Sequence, residues 1–373
     1  MKALRPGQLR LVLAVAGALL VFNLLAAIFG QAPAAMLRDA FVGTWGTAYG
    51  IGQVLFKATP LMLTGLAFHV ALRAGLFNIG SEGQLALASL AGAFVGTHLP
   101  AGLPWPLALP IVLATAIAVG ASYAAIAGLM RARLGVHEII SGIMLNRCAD
   151  VLLPWVLVAG LGATGLRTAD IAAGTRLPSL DQWIGAFAGS AASLAFPLAV
   201  VITIATYSWL ERSRRGREMA WVGKGADACE AQGIAVARRR VEAMLLSGAL
   251  AGLAITGTVL GYKGYYELGL GAGAGFSGIA VAMVGRSGPL ALIAAALVFG
   301  TLAQAGLAIN ANVPKAAMGV LEAVVILLVA AAAHSRHRRA ASPPDEPTAE
   351  TSSAAQDDED GEPNEAVAAE AEA

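Results

Sequence analysis

Long apolar stretches, separated by short polar or glycine-rich interruptions, run through most of the chain. Leu11–Phe29 is the first, preceded by Lys2, Arg5 and Arg10. It has the roughly 20 residues a bilayer crossing needs and no clear small-residue cleavage site, so it reads as a first span and not as a removed signal peptide. Met36–Leu55 is weaker and amphipathic, and reads as an interfacial segment. The pattern then predicts spans at Pro60–Leu72, from a break to Val95, from Pro104 and Pro106 to the arginines 131 and 133, at Ile139–Val158, Leu194–Leu210, Val241–Leu260, Phe276–Val284 (too short to cross alone), Pro289–Ile309 and Val313–Ala333. A moderately polar loop fills 160–191.

Two interruptions differ from ordinary loops. Arg73–Gln84 is punctuated by glycine yet carries a carboxylate, two amides and a hydroxyl between apolar runs. Gly261–Gly275 is richer still in glycine and is preceded by Leu246-Ser247-Gly248-Ala249, much as Leu63-Thr64-Gly65-Leu66 precedes the first. Irregular backbone at membrane depth is tolerated only where protein buries it or it lines a cavity. Two similar blocks pointing opposite ways read as inverted repeats with interrupted helices, a design that places a pathway between them. The expected fold is therefore all-α: a polytopic transmembrane bundle of about ten spans over residues 1–340.

Composition sharpens this. Of 373 residues 57% are hydrophobic and 13% charged, against about 25% charged in soluble domains. The net charge of +1 hides an asymmetry, because eleven of the 24 acidic residues, and no Lys or Arg, follow Ala341. The rest of the chain is strongly basic, and its arginines cluster at 131–133, 212–240 and 336–339. Ten crossings put those clusters, and both termini, on one side, the cytoplasmic side by the positive-inside rule. A basic excess of this kind does not point to nucleic acid. Residues 341–373 read as a disordered acidic tail. Cys148 and Cys229 are too far apart for metal-ligand spacing and read as free thiols.

Enzyme chemistry finds no support. There is no Walker-type ATP loop, Gly271-Ala272-Gly273-Ala274-Gly275 lacks the strand–helix setting of a dinucleotide loop, and His137-Glu138 lacks the second histidine of a zinc motif. No cofactor or metal is expected. Glu82 is either a pathway carboxylate or an acceptor for backbone N–H groups at a helix start. Asn78, Ser81 and Gln84 either tie the break together or touch solute. Glu138 and Asn146, eight residues apart on one helical face, either line a path or cap and cross-link helices, and Ser277 opens the second short span. The tyrosines 262, 265 and 266 with Lys263 form either an interfacial belt or a mouth that stacks on a ring. Within 212–240, Asp227, Ala228, Ala231, Gly233 and Ile234 make a short helix with a small-residue face and a glycine stop. Such a face either docks into another protein's groove or lies on anionic lipid.

These stretches resemble a family. Gly75-Leu76-Phe77-Asn78-Ile79-Gly80-Ser81-Glu82-Gly83-Gln84 is similar to the signature of ABC-importer permeases of the branched-chain amino acid/simple-sugar superfamily, and within it to the nucleoside-type permeases. His137-Glu138-Ile139-Ile140 with Met144-Leu145-Asn146, Asp227–Ile234 followed by Ser247–Leu253, and Phe276–Gly285 resemble three further blocks in the same order. His137 stands where the family has Asn, Ser277 where it has Asp, Asp227 and Cys229 at the ends of its Glu-Ala-Ala, and Ile255-Thr256 where it continues Ala-Gly. The resemblance implies a bacterial inner-membrane permease without enzymatic activity. It also implies a second permease subunit, the same or different, a cytoplasmic ATPase docked on residues 227–234, and an extracytoplasmic, often lipid-anchored binding protein. Nucleosides are the implied solute, sugars the next. The rival reading is an ion- or proton-coupled secondary carrier; a non-transporting scaffold would have no use for the polar breaks.

Overall fold

Lipid offers the backbone no hydrogen-bond partners, so the apolar runs must satisfy their own N–H and C=O groups and fold as helices. A computed structural model describes residues 6–162, 165–311, 313–314, 319–320 and 323–324. The expected last span, 313–333, falls largely outside the described residues, and the acidic tail, 341–373, falls wholly outside them. The described residues contain α1 (Pro6–Ile28), α2 (Pro33–Val42), α3 (Ala48–Arg73), α4 (Ser81–His98), α5 (Trp105–Leu134), α6 (Glu138–Trp155), α7 (Ala195–Arg212), α8 (Arg214–Lys224), α9 (Ala226–Ala231), α10 (Val236–Gly252), α11 (Ala274–Val284) and α12 (Pro289–Ala308). Two π-helical stretches, Val156–Gly160 and Thr256–Lys263, extend α6 and follow α10. Among the described residues strand pairing is confined to isolated bridges, Arg167 with Glu267 and Ser179 with Ser193.

Among the described residues, five helical segments are long and apolar enough to cross a membrane: Ala48–Arg73, Trp105–Leu134, Glu138–Gly160, Val236–Lys263 and Pro289–Ala308. A sixth is gained if Leu19–Ile28 and Pro33–Val42, bent by 111°, form one broken span. The main departure from the sequence pattern lies before the first break. Residues 36–55 are not one interfacial segment: α2 ends at Val42, and a new helix begins at Ala48, where the Thr47 side chain accepts from the Gly50 amide at 3.0 Å. That helix runs through Pro60 without stopping and reaches Arg73. Proline usually breaks a helix because it cannot donate and its ring crowds the preceding turn; here the segment around it is buried on every side by α7, α10, α11 and α12.

Close packing comes from small residues, the means by which helices in lipid approach one another. Gly120 on α5 and Gly248 on α10 each leave no room for a Cβ against the other's carbonyl, and Gly252 does the same against Ala116. α11 packs on α3 in the same way, with Gly278 against Thr64. The main apolar core gathers α3, α10, α11 and α12 around Phe68, Leu66 and Phe299; a second core joins α4, α5 and α6. The polar loop after α6 is laced onto the chain beyond α10 by backbone hydrogen bonds. Thr168 donates to Tyr266 (2.8 Å), Ile171 to Gly264 (2.8 Å) and Leu177 to Leu260 (2.8 Å).

Candidate translocation site and coupling surface

The first break opens where Gly75 takes a left-handed conformation (φ +73°) after α3. Seven buried or half-buried polar groups then hold it shut. Asn78 and Gln84 pair through both amides: Asn78 Nδ2 donates to Gln84 Oε1 (2.8 Å), and Gln84 Nε2 donates to Asn78 Oδ1 (2.9 Å). Asn78 Nδ2 also donates to Ser247 Oγ on α10 (2.7 Å), and that hydroxyl donates to the Ala67 carbonyl (2.6 Å). Ser81 donates to the Asn78 carbonyl (3.1 Å). Asn146 on α6 brackets the α4 start, accepting from the Gly83 amide (3.0 Å) and donating to the Ile79 carbonyl (3.0 Å). Glu138 accepts from the Phe77 amide (3.2 Å) and lies 3.4 Å from Arg131 Nε, with a contact at 3.7 Å to the His137 ring. Asn78, Ser81, Gln84, Glu138 and Asn146 are all buried within the chain.

Glu82 is placed differently. It does not turn back onto its own helix but reaches across to the second break. Its Oε1 accepts from the Gly273 amide (2.6 Å) and its Oε2 from the Gly275 amide (2.8 Å), 191 and 193 residues away. Gly275 has no room for a Cβ against the Glu82 backbone. The half-helices α4 and α11 therefore begin against each other, and a carboxylate in the first turn of α4 caps the start of α11. A helix start carries roughly half a positive charge, so two such starts meeting would repel without the anion between them.

The second break is built from glycine backbone. Gly264, Gly269, Gly271 and Gly273 all have φ between +74° and +87°, a region in which side chains other than glycine's are strained. Residues 269–274 form one wall of a cavity of about 500 Å³, completed by Phe56, Lys57, Pro60 and Leu61 of α3, Thr258 and Tyr262 of the π-helical stretch, Ser277 of α11 and α12. Of the seven residues expected on a pathway, Ser277 lines this cavity. Glu82 stands behind its glycine wall, and the other five belong to the knot of the first break. The three tyrosines separate: Tyr266 is buried, Tyr265 lies under the Arg167 guanidinium (4.7 Å), and Tyr262 faces the cavity. Ser247, Lys57 and Thr258 were not singled out from sequence. A lysine inside an apolar run is the signal that would have found the second of these.

The expected docking segment forms a surface of its own. α9 is stopped by Gly233 (φ +75°), two residues past its end, whose amide donates to the Glu230 carbonyl (2.9 Å) while that of Ile234 donates to the Cys229 carbonyl (2.9 Å), the glycine-terminated Schellman stop. Cys229 is buried with Val222 and Val236, which fixes α9 on α8 and α10. Asp227, Ala228, Ala231 and Gly233 are left exposed, and Ile234 is half-buried. Trp221, Ala228, Gln232 and Ile234 line a groove of about 440 Å³ there. α8 carries this surface to the first break, since Gly223 lies against the Arg73 carbonyl and Gly75 with no room for a Cβ. Glu218 clamps α8, pairing with Arg214 (2.7 Å) and Arg239 (2.5 Å). The Arg214 hydrogen bond and then that of Arg239 outweigh partial desolvation and hold its carboxyl below the usual carboxylate range. Both cysteines are free, and no cluster of metal-ligating side chains occurs among the described residues.

Residues 50–330 match the model of the family described as branched-chain amino acid transport system / permease component. The chain belongs to that family of ABC permeases. It is 33% identical over 296 residues to the glucose ABC transporter permease protein TsgB13 of Haloferax volcanii, covering 76% of this chain and 77% of that one. It is 32% identical to the guanosine ABC transporter permease protein NupP of Bacillus subtilis (83% and 88% covered) and 30% identical to the nucleoside ABC transporter permease protein NupB of Lactococcus lactis (80% and 83% covered). This permease is thus a multi-pass membrane protein that is not itself an enzyme; its ATPase is a separate subunit, and family membership implies a substrate-binding protein as well.

Proposed function

We propose that this permease imports a small, uncharged, ring-bearing solute, a nucleoside, across a bacterial inner membrane, with both termini in the cytoplasm. The observation that carries the reading is the meeting of α4 and α11 at Glu82 beside the cavity. Converging half-helix starts in other transporters hold an anionic group of the solute. Here a side chain of the chain itself supplies that anion, so the site makes no demand for a charged solute. Two relatives named for guanosine or nucleoside transport support the same solute class; the relative named for glucose makes sugars the second candidate. In this reading α3–α4 and α10–α11 are inverted repeats within about ten crossings, and a second permease subunit, identical or different, closes the other side of the path. Ser277 touches the solute, Glu82 sets the junction of the two repeats, and Asn78, Ser81, Gln84, Glu138 and Asn146 hold the first break in register. Asp227, Ala228, Ala231, Gly233 and Ile234 receive the ATPase.

The test is uptake of radiolabelled guanosine into proteoliposomes holding the assembled transporter and its binding protein. Uptake that requires ATP and the ATPase is expected. Uptake that persists on an ion or proton gradient without either would convert the protein to a secondary carrier.

A further inference from the structure

Resting on the nucleoside reading, we propose that Phe56, Lys57 and Tyr262 form a stacking constriction that recognises the planar heteroaromatic ring of the solute. Two cavities flank α3. The one of about 500 Å³ lies toward the glycine wall and Ser277. The other, of about 670 Å³, lies toward the N-terminal end of α3, with Asp39 of α2 and with Tyr49 and Gln53 of α3 on its walls. Both volumes lie in the range of about 300–1,000 Å³ typical of small-ligand sites. Phe56, Lys57 and Tyr262 are the three residues that line both, so they stand at the boundary between them. The end of α3 that the second cavity faces is opposite the end where α8 meets Arg73, hence extracytoplasmic in the proposed orientation.

The chemistry at this boundary suits a purine-like ring. The Phe56 and Tyr262 rings lie 4.7 Å apart between centroids at 52°, a tilted pair that offers π faces to a third ring. Tyr262 is 49% exposed although it sits in a membrane-crossing segment. Its neighbour Gly257 is packed on Thr59 and Pro60, which fixes the π-helical stretch, and therefore the tyrosine, against α3. Lys57 is a charge inside a crossing helix, a costly placement that marks a cavity or path. An ammonium there can donate to ring nitrogen and carbonyl acceptors, the groups a guanine presents as N7 and O6. Beyond the constriction, the Thr258 and Ser277 hydroxyls line the inner cavity, where the hydroxyls of a ribose would find partners.

The assembled transporter, with its second permease subunit, ATPase and binding protein, is reconstituted, and uptake of guanosine and of D-ribose is measured for each variant. Phe56→Ala and Tyr262→Ala are expected to lower guanosine uptake at least tenfold and to lower the guanosine-to-ribose ratio, whereas Phe56→Tyr and Tyr262→Phe, which keep the ring, stay within twofold of wild type. Uptake of both solutes lowered alike, with the ratio unmoved, marks a structural defect without ring recognition and overturns the constriction. If the alanine variants do not assemble, Phe56→Leu and Tyr262→Leu fill the same space without a π face and carry the same expectation. Guanosine uptake and ratio within twofold of wild type in the ring-less variants overturns the constriction and leaves the nucleoside reading standing. A wild-type transporter that carries D-ribose and not guanosine overturns both.

Discussion

The two interrupted helices are built from opposite materials. Between α3 and α4 the break is short; its side-chain amides are spent on one another and on Ser247, and Asn146 takes up its backbone. Between α10 and α11 it is long and glycine-rich; Lys263 and Glu267 pair with each other there (3.1 Å), and beyond them glycine backbone faces Glu82 on one side and walls a cavity on the other. The difference separates an anchor from a working surface. Side-chain amides that satisfy each other leave nothing for a solute, while a glycine wall brings backbone close to whatever occupies the cavity. In the proposed reading the richest polar motif marks the fixed element, and the glycine-rich motif marks the wall of the path.

Breaking the link between the two should have the largest effect. Glu82→Ala removes two hydrogen bonds to a charged acceptor, each worth about 1.5–3 kcal/mol, and leaves two helix starts facing each other. A loss of about 3 kcal/mol is expected, read as thermal unfolding in detergent, with guanosine uptake abolished; Glu82→Gln, which keeps one acceptor, should lose less. Unchanged stability in both would mean the two breaks are not joined there. Within the anchor, Asn78→Ala and Gln84→Ala should each cost about 1–3 kcal/mol by stranding a buried partner. The double variant should cost less than the sum, because both act on one network. Additive losses would show the amides working separately.

The surface below the anchor gives finer tests. The folded-state carboxyl of Glu218 is lowered, so its contribution is full above about 4.3, the ordinary glutamate value, and is lost as pH falls through its lower folded value. The stability gap between wild type and Glu218→Gln should therefore be steady at neutral pH and close below the usual carboxylate range; a gap that stays constant to strongly acid pH would remove the clamp. The smallest change in folding is expected for Ala228→Glu, an exposed site where substitutions usually stay within about 0.5 kcal/mol. Even so, stimulation of ATP hydrolysis by loaded binding protein should disappear. Gly233→Leu should do the same at an added cost of about 1–2 kcal/mol for its left-handed backbone. Stimulation that survives both would place the ATPase elsewhere.

How far the sequence reveals this depends on the range of each interaction. The helical class, both breaks, the Gly233 stop and the cluster of polar residues around Asn78 are local and readable. Glu82 as an anion at a helix start is readable too, but the start it serves is 191 residues away, and no spacing rule reaches that far. Pro60 reads as a helix beginning because proline favours the first turn. It lies instead in the middle of a 26-residue helix, and α3 has no amphipathic stripe to reveal this, since its buried residues go all the way round from Thr59 to Ala71. Dividing α3 at that point leaves Phe56 and Lys57 between two segments, so the pattern of apolar runs does not reveal the boundary of the cavities.

The contrast between the breaks can be measured by thiol reactivity. In a background with Cys148 and Cys229 replaced, Ser81→Cys and Ser277→Cys place the same side chain in the anchor and on the cavity wall. During ATP-driven turnover a water-soluble maleimide should modify Ser277→Cys at least tenfold faster than Ser81→Cys, and guanosine should slow the reaction at position 277 alone. Equal rates at the two positions, or protection by guanosine at position 81, would contradict the assignment of the glycine-rich break as the wall of the path.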